Sequence, residues 1–456
     1  MTPRFIKEIR EFTGEAIDRL SWRRDQVLAH QRHRLREVVA AAQRDSPFHA
    51  HRIGHLEAAQ LELNDLTRLP PMTKQDVMAN WDQLVTDHRL TLEGVNDHLH
   101  RVATGEASSL YYLDKYYAAA TGGSSGRRGV FVWDQETIIV TANVAHRMDA
   151  WYDCTQPPRD TRRTAVICAG SPVHASRVLF PITLDPQRTA EVFPASLPVK
   201  EMIERLNAYQ PDRIIGYASI VQELCAAAVE GKLQIQPERV STNSEPLSST
   251  ARELAQQAWG INIHNTWGSV ETGVAATEGD AFAGMSLAED FLIVEPVDSE
   301  HQPVADAAEA DRLLVTRLFG PVMPLIRYEL TDTVVLDSGE NLDAPGMRRI
   351  VEIKGRADGG FVYAGDVRIH PMVFRGVLGQ EPKIIEYQVQ QTADGAVIRT
   401  VAYGEYSTTR IEQALTRQLQ DAGLPHPRVC IEKLDHIPRH AETNKLRRFV
   451  PMPPAS

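Results

Sequence analysis

The sequence predicts an α/β protein: a large N-terminal domain with mostly parallel sheets and flanking helices, followed by a small, mobile α+β domain. Three observations predict it. From residue 130 onward, short apolar runs alternate with helical segments. After the Asp-Gly-Gly run at 358–360, the chain restarts with short strands and one amphipathic helix. A length of 456 residues exceeds what one ordinary core accommodates.

Taken in order, residues 20–45 have helical spacing, with Leu20, Val27, Leu28, Leu35, Val38 and Val39 on one side. The Arg and His residues between them read as a solvated face. Thr73 is the expected N-cap of the next helix, with Asp76 in its first turn. Residues 164–170 (TAVICAG) read as a buried strand, 199–209 as a helix, and 212–219 (DRIIGYAS) as a second strand. A helix closed by Gly231 follows. Strand–helix alternation implies parallel pairing, and ligands in such sheets sit at the carboxyl ends of strands. Between 290 and 358 the runs shorten, with turns between them, a pattern suited to antiparallel pairing. Glycine tolerates backbone angles that other residues avoid, so the run at 358–360 suits a joint. The expected domains are therefore 1–357 and 358–456. Residues 408–423 form the one amphipathic helix of the second, and the PMPPAS tail is expected to fray.

The formal net charge of −11 argues against general nucleic-acid binding. No apolar stretch is long enough to span a membrane, and the charged N-terminus lacks the apolar centre of a signal peptide. Cytoplasm is the expected location. Cys154, Cys168, Cys225 and Cys430 match neither a zinc pattern nor a disulfide framework. His49, His51 and His55 lie close together without the carboxylate or cysteine that would make a metal site.

Five short motifs carry the chemistry. Thr121-Gly122-Gly123-Ser124-Ser125-Gly126, followed by Arg127-Arg128, lets backbone N–H groups and hydroxyls approach an anion. No Gly-Lys-Ser/Thr closes it, so it is not a Walker loop, and alone it also reads as a flexible linker. Asn265-Thr266-Trp267-Gly268-Ser269-Val270-Glu271 offers a ring that can stack and a carboxylate that can hold Mg²⁺, or else a core Trp and a surface Glu. Asp332, ending Arg327-Tyr328-Glu329-Leu330-Thr331-Asp332, can accept two ribose hydroxyls. Gly355-Arg356-Ala357-Asp358 stands at the joint. Pro438 to Arg448 is a polar loop with a basic end, which in isolation reads as solvated surface.

In this order the motifs resemble the adenylate-forming (ANL) superfamily, in particular its phenylacetate–CoA ligase-like branch. The resemblance covers nearly the whole chain, including SPFHAHRI (46–53), DLTRLPPMTKQDV (65–77), GYAS (216–219) and TNSEPLS (242–248). It implies that 1–357 is the adenylation domain and that 358–456 carries the catalytic lysine, Lys445. Lys445 would bridge the acid's carboxylate and the α-phosphate of ATP, lowering the repulsion of two anions in the transition state. Thr121 to Gly126 would form the phosphate loop. Ser244, Glu245 and Pro246 would line the adenine site, with Trp267 and Gly268 beside it. Glu271 would bind Mg²⁺, which neutralises the leaving pyrophosphate. Asp332 and Arg356 would hold the ribose, and Asp358 matches the hinge. Domain closure would shield the reactive adenylate from water. A substrate pocket near Gly170, Ser171, His174, Tyr217, Ser219 and Gly268 is expected.

The pattern also departs from the family's. Arg127-Arg128-Gly129 replaces the usual Pro and Lys or Thr, Val270 replaces a hydroxyl residue, and Thr443-Asn444-Lys445 stands where Ser-Gly-Lys is common. Asn can supply the left-handed backbone of the missing Gly. The leading expectation is adenylation of a small or aromatic carboxylic acid, then thioester formation with CoA. Two alternatives stay open. One is a different acceptor or acid: a carrier-protein thiol, an amine, or an inorganic acid such as nitrite. The other is a nucleotide-binding relative without turnover, against which Glu271, Asp332, Arg356 and Lys445 together argue. A homodimer is compatible with the branch.

Overall fold

The computed structural model describes residues 3–120, 129–155, 162–168, 189–195, 197–305, 307–337, 339–356, 361–365, 367–369, 372–378, 381, 383–402, 404–439 and 446–452. They fold into two compact units. One takes Met1–Thr161, Ser171–Ala190 and His264–Ile353; the other takes Arg162–Gly170, Glu191–Ile263 and Lys354–Ser456.

In the first unit the helix Arg24–Asp45 buries Val27, Leu35, Val39 and Ala42. These fall on one face at helical spacing. Gln31, one turn from both Val27 and Leu35, lies in the same buried stripe. Gln31 is buried and donates to the carbonyls of Glu289 (2.9 Å) and Leu292 (2.8 Å). Arg24 donates to the buried Glu289 carboxylate at 2.6 Å, and Arg348 donates to the same group at 3.0 Å. A buried carboxylate must be paired, and here it draws two arginines inward. Thr73 caps its helix as expected: its Oγ1 accepts from the Asp76 amide while Asp76 accepts from the Thr73 amide.

Antiparallel pairing dominates this unit. Leu292–Val297 pairs with Arg312–Arg317, which also pairs with Tyr328–Leu330. Tyr116–Ala120 pairs with Val130–Trp133. Ile263–Ser269 and Gly273–Glu278 form a hairpin, extended by Met285–Leu287 and then Arg349–Arg356. The main core collects Trp81, Phe131, Trp267, Leu287, Phe291 and Tyr328. His49 is buried, with Nε2 3.0 Å from the Pro324 carbonyl, and burial pushes its pKa down to about 4. It is a core histidine and not a ligand.

The second unit contains the expected parallel sheet. Arg163–Cys168, Arg213–Tyr217 and Arg239–Asn243 run parallel, with Gly216 opposite Thr242. The helices Val199–Tyr209, Ala218–Val229 and Ser249–Trp259 belong to this unit. The second strand ends two residues sooner than expected, because Ala218 already opens a helix. Ile167, Ile214, Val221, Leu224, Cys225 and Val240 share one core. Cys168 and Cys225 are both buried, as their apolar contexts suggested.

A separate core follows residue 360, built from Phe361, Phe374, Val389, Ile398, Ile411, Leu415 and Leu419. The last three are the buried stripe of the amphipathic helix Thr408–Asp421. The helix belongs to a four-stranded assembly in which Ile384–Thr392 pairs antiparallel with Gly395–Ala402 and parallel with Phe449–Val450. Arg428–Lys433 runs parallel to the second of these. Among the described residues no helix is long and apolar enough to cross a membrane.

Candidate active site

In the first unit, the tip of the hairpin between Ile263–Ser269 and Gly273–Glu278 carries Glu271. The strands slip register between Trp267 and Gly268, forming a bulge. Gly268 is required there, since a Cβ would lie 2.3 Å from the Gly273 carbonyl oxygen. The tip is fixed from three sides. Trp133 Nε1 donates to the Val270 carbonyl at 3.0 Å. Arg317 Nη1 donates to the Glu271 carbonyl at 3.1 Å. The Thr272 amide donates to Ser269 Oγ at 3.2 Å.

The Glu271 side chain is 7 % exposed, and its Oε1 accepts a long 3.4 Å bond from the Tyr328 hydroxyl. This carboxylate is an oxygen donor of the hard type that suits Mg²⁺. Trp267, expected to stack on a flat ring, is buried among the residues of the main core. Asp332 opens the strand Asp332–Asp337 and is half-buried. Arg327, from the same motif, is occupied: it donates to Glu295 and to the Leu69 carbonyl.

In the second unit, Tyr217 ends its strand fully buried, and Ser219 lies in the first turn of the helix Ala218–Val229. Ser244, Glu245 and Pro246 follow the neighbouring parallel strand, so strand order alone brings the two segments together. Ser244 has φ +67°, a left-handed backbone that turns the chain sharply. Glu245 Oε2 accepts from the Ser219 amide at 2.9 Å, a carboxylate placed on the free N–H groups of a helix start. Its other oxygen accepts from the Leu446 amide at 3.1 Å.

Arg439 joins the same region. Its guanidinium donates to Ser219 Oγ, Glu223 Oε1 and Glu386 Oε1, each at 2.7 Å. Burial pushes Glu386 up to about 7, and it raises Glu223 as well; the charge of Arg439 opposes both shifts.

Some expected residues are thus brought together within one unit: Trp267, Gly268 and Glu271 on the hairpin of the first, and Tyr217, Ser219, Ser244, Glu245 and Pro246 in the second; Asp332 lies in the first unit on a different strand. Thr121 to Gly126, Gly170, Ser171, His174, Asp358, Lys445 and the side chain of Arg356 lie outside the described residues. Tyr328, Arg317, Arg439, Glu223 and Glu386 were not foreseen. Tyr328 and Arg439 did fall inside quoted motifs. Glu223 sat in an apolar helix as an isolated charge, which is a weak signal.

No family model matches the sequence. Protein CapK of Staphylococcus aureus is 20 % identical over 318 residues, covering 68 % of this chain; the chain spans 63 % of the length of that relative. Among solved structures, 2-hydroxyisobutyryl-CoA ligase in the postadenylation state, in complex with R3-HIB-AMP, matches with a TM-score of 0.71 at 17 % identity. That match covers 95 % of this chain and 91 % of the other. The same ligase in complex with 2-HIB-AMP and CoA in the thioesterification state matches with a TM-score of 0.58 at 17 % identity, over 94 % and 90 % of the two chains. The chain therefore has the fold of the adenylate-forming acyl-CoA ligases.

Proposed function

We propose that the protein is an enzyme that activates a small or aromatic carboxylic acid with ATP and passes the acyl group to CoA. In the first step a carboxylate oxygen attacks the α-phosphorus, the α–β phosphoanhydride bond breaks, and pyrophosphate leaves. In the second, the CoA sulfur attacks the acyl carbon and AMP departs with the bonding electrons. The observation that carries this reading is a fold shared over 95 % of the chain with a ligase whose structure contains an acyl-AMP.

Roles follow residue by residue. Lys445 bridges the two reacting anions, and Thr121 to Gly126 bind the phosphates. Glu271 holds Mg²⁺, which supplies charge neutralisation for the leaving pyrophosphate. The three ties on the hairpin tip support this role, because a carboxylate on a fixed turn loses little freedom when it binds. Ser244, Glu245 and Pro246 line the adenine position, with Trp267 and Gly268 assigned beside it. Asp332 and Arg356 hold the ribose. His174, Tyr217 and Ser219 belong to the acid's pocket. The separate core after residue 360 supports a domain boundary at 357/358, with Asp358 as the hinge. A carrier-protein thiol is the alternative acceptor to CoA; a homodimer rests on the family resemblance, and a cytoplasmic location on the charged N-terminus.

The test is pyrophosphate release with ATP and Mg²⁺ across aryl, arylacetic, short-chain, amino and inorganic acids, with and without CoA. Acid-dependent release followed by CoA-dependent thioester supports the whole reading. Release without any thioester moves the acceptor elsewhere. ATP binding with no release under any acid overturns it.

A further inference from the structure

The six residues 440–445, which end in Lys445, are entered from Arg439 and left through Leu446. Both flanking residues are tied to one small region of the second unit. Arg439 meets Ser219, Glu223 and Glu386 at 2.7 Å each, and it is largely buried there, with its side chain 16 % exposed. The Leu446 amide meets Glu245 at 3.1 Å, and the same carboxylate holds the Ser219 amide. Beyond Leu446 the chain enters the C-terminal sheet, where the Arg448 carbonyl accepts from the Val389 amide at 2.8 Å.

One guanidinium facing a buried carboxylate, Glu386, and a half-buried one, Glu223, is a costly arrangement for a surface loop. Desolvating three charges is unfavourable unless the geometry is well satisfied, and a hydrocarbon would serve mere packing as well. What the ions supply is direction: a planar donor set that accepts its partners in only one orientation. Glu386 lies on the C-terminal sheet, whereas Ser219 and Glu223 lie on the helix Ala218–Val229. Arg439 therefore registers one against the other at the point where the chain enters 440–445.

We propose that Arg439, held by Glu223, Glu386 and Ser219, together with the Leu446–Glu245 bond, forms a two-point clamp that fixes both ends of the lysine-bearing segment. Arg439 is a positioning residue and touches no reacting atom. The proposal rests on the adenylation reading above for its effect on rate, but not for the clamp itself.

The experiment uses the full chain with Arg439→Met, Arg439→Lys and Glu245→Gln. Two quantities are read: acid-dependent ATP–pyrophosphate exchange, and hydrogen-exchange protection of the Leu446 amide. Arg439→Met is expected to lower the exchange kcat about 10²-fold, as for a displaced catalytic group, with the KM for ATP within about twofold. Leu446 protection should fall in the same variant, although Arg439 makes no bond to that amide. Arg439→Lys, which keeps the charge, should recover part of both, and Glu245→Gln should weaken Leu446 protection directly. A general loss of structure would instead raise KM and lower the melting temperature with no rescue by Lys, and would overturn the proposal. So would unchanged kcat or unchanged Leu446 protection in Arg439→Met. If the native chain shows no exchange with any acid, the adenylation reading fails, and Leu446 protection alone decides the clamp.

Discussion

The guanidinium of Arg317 donates a 3.1 Å hydrogen bond to the backbone carbonyl of Glu271, the residue assigned to Mg²⁺. Arg317 is fully buried, and its other described bonds go to the carbonyls of Gly320 and Met323. Burial lowers its pKa only to about 10, so it stays charged at neutral pH. Replacing it with Met strands three carbonyl groups. We expect a loss of about 3 kcal/mol in denaturant unfolding, given ~1–3 kcal/mol for a buried polar group left unsatisfied.

Glu271→Gln keeps the shape of the hairpin tip but removes the charge. Pyrophosphate release should then need at least ~10-fold more Mg²⁺ for half-saturation, in line with the effect of losing a group that supports a metal. A titration of rate against Mg²⁺ checks this, and an unchanged midpoint would remove Glu271 from the metal site.

Lys445→Ala should lower pyrophosphate release by about 10²–10³-fold, the usual effect of deleting one transition-state charge partner. Its melting curve should match that of the native protein. Equal activity would cancel the role given to Lys445.

Gly268→Ala puts a methyl group 2.3 Å from the Gly273 carbonyl oxygen and 2.8 Å from the Val274 Cα. Both neighbours are backbone, so the hairpin must shift. We expect a destabilisation of about 2–3 kcal/mol, measured by urea unfolding, as for an overpacked core site. Activity should fall further than stability predicts, because the same hairpin carries Glu271.

Two buried groups give opposite pH trends. His49 has its folded pKa lowered to about 4 from an ordinary 6.5, so its contribution is complete above 6.5 and is lost as pH falls towards 4. Glu386 is raised to about 7 from an ordinary 4.5, so its contribution is complete below 4.5 and is lost as pH rises towards 7. Glu386 faces Arg439, Glu223, Arg448 and Glu245, all of which share in its titration. Unfolding free energy measured from pH 4 to 8 should therefore lose its fall on the acid side in His49→Gln. In Glu386→Gln it should lose its decline toward neutrality.

Much of the fold was legible in the sequence because local periodicity decided it. The alternation around Arg213–Tyr217 and Ala218–Val229 needs no knowledge of distant residues, and neither does the Thr73–Asp76 capping box. The parts that were not legible join residues far apart. Arg439 meets Ser219 across 220 positions, and nothing in either neighbourhood marks the other. Arg317 sits in an apolar strand, where a charge reads as an edge position, and only the tertiary structure shows carbonyls waiting for it. Of the five motifs, the one holding Gly268 and Glu271 folds as a hairpin turn whose steric requirement is local. The partners that hold it, Trp133 and Arg317, were not legible.

The pairing of Arg24 with Glu289 spans 265 positions. During synthesis, therefore, the helix Arg24–Asp45 leaves the ribosome long before the group that neutralises its arginine and the carbonyls that take Gln31 have been made. Leu35 and Val39 meet Ile53, Leu61, Leu66 and Leu69 early, but Ile293, Leu318 and Ile326, which complete their cluster, come only after more than half of the chain has been translated. Folding of the first unit therefore cannot be completed at its N-terminal edge until residue 289 and the segments after it have been made. Stalled or shortened chains ending before residue 289 should leave Val27, Leu35 and Val39 only partly covered and partition to chaperones or aggregates, whatever the stability of the finished protein.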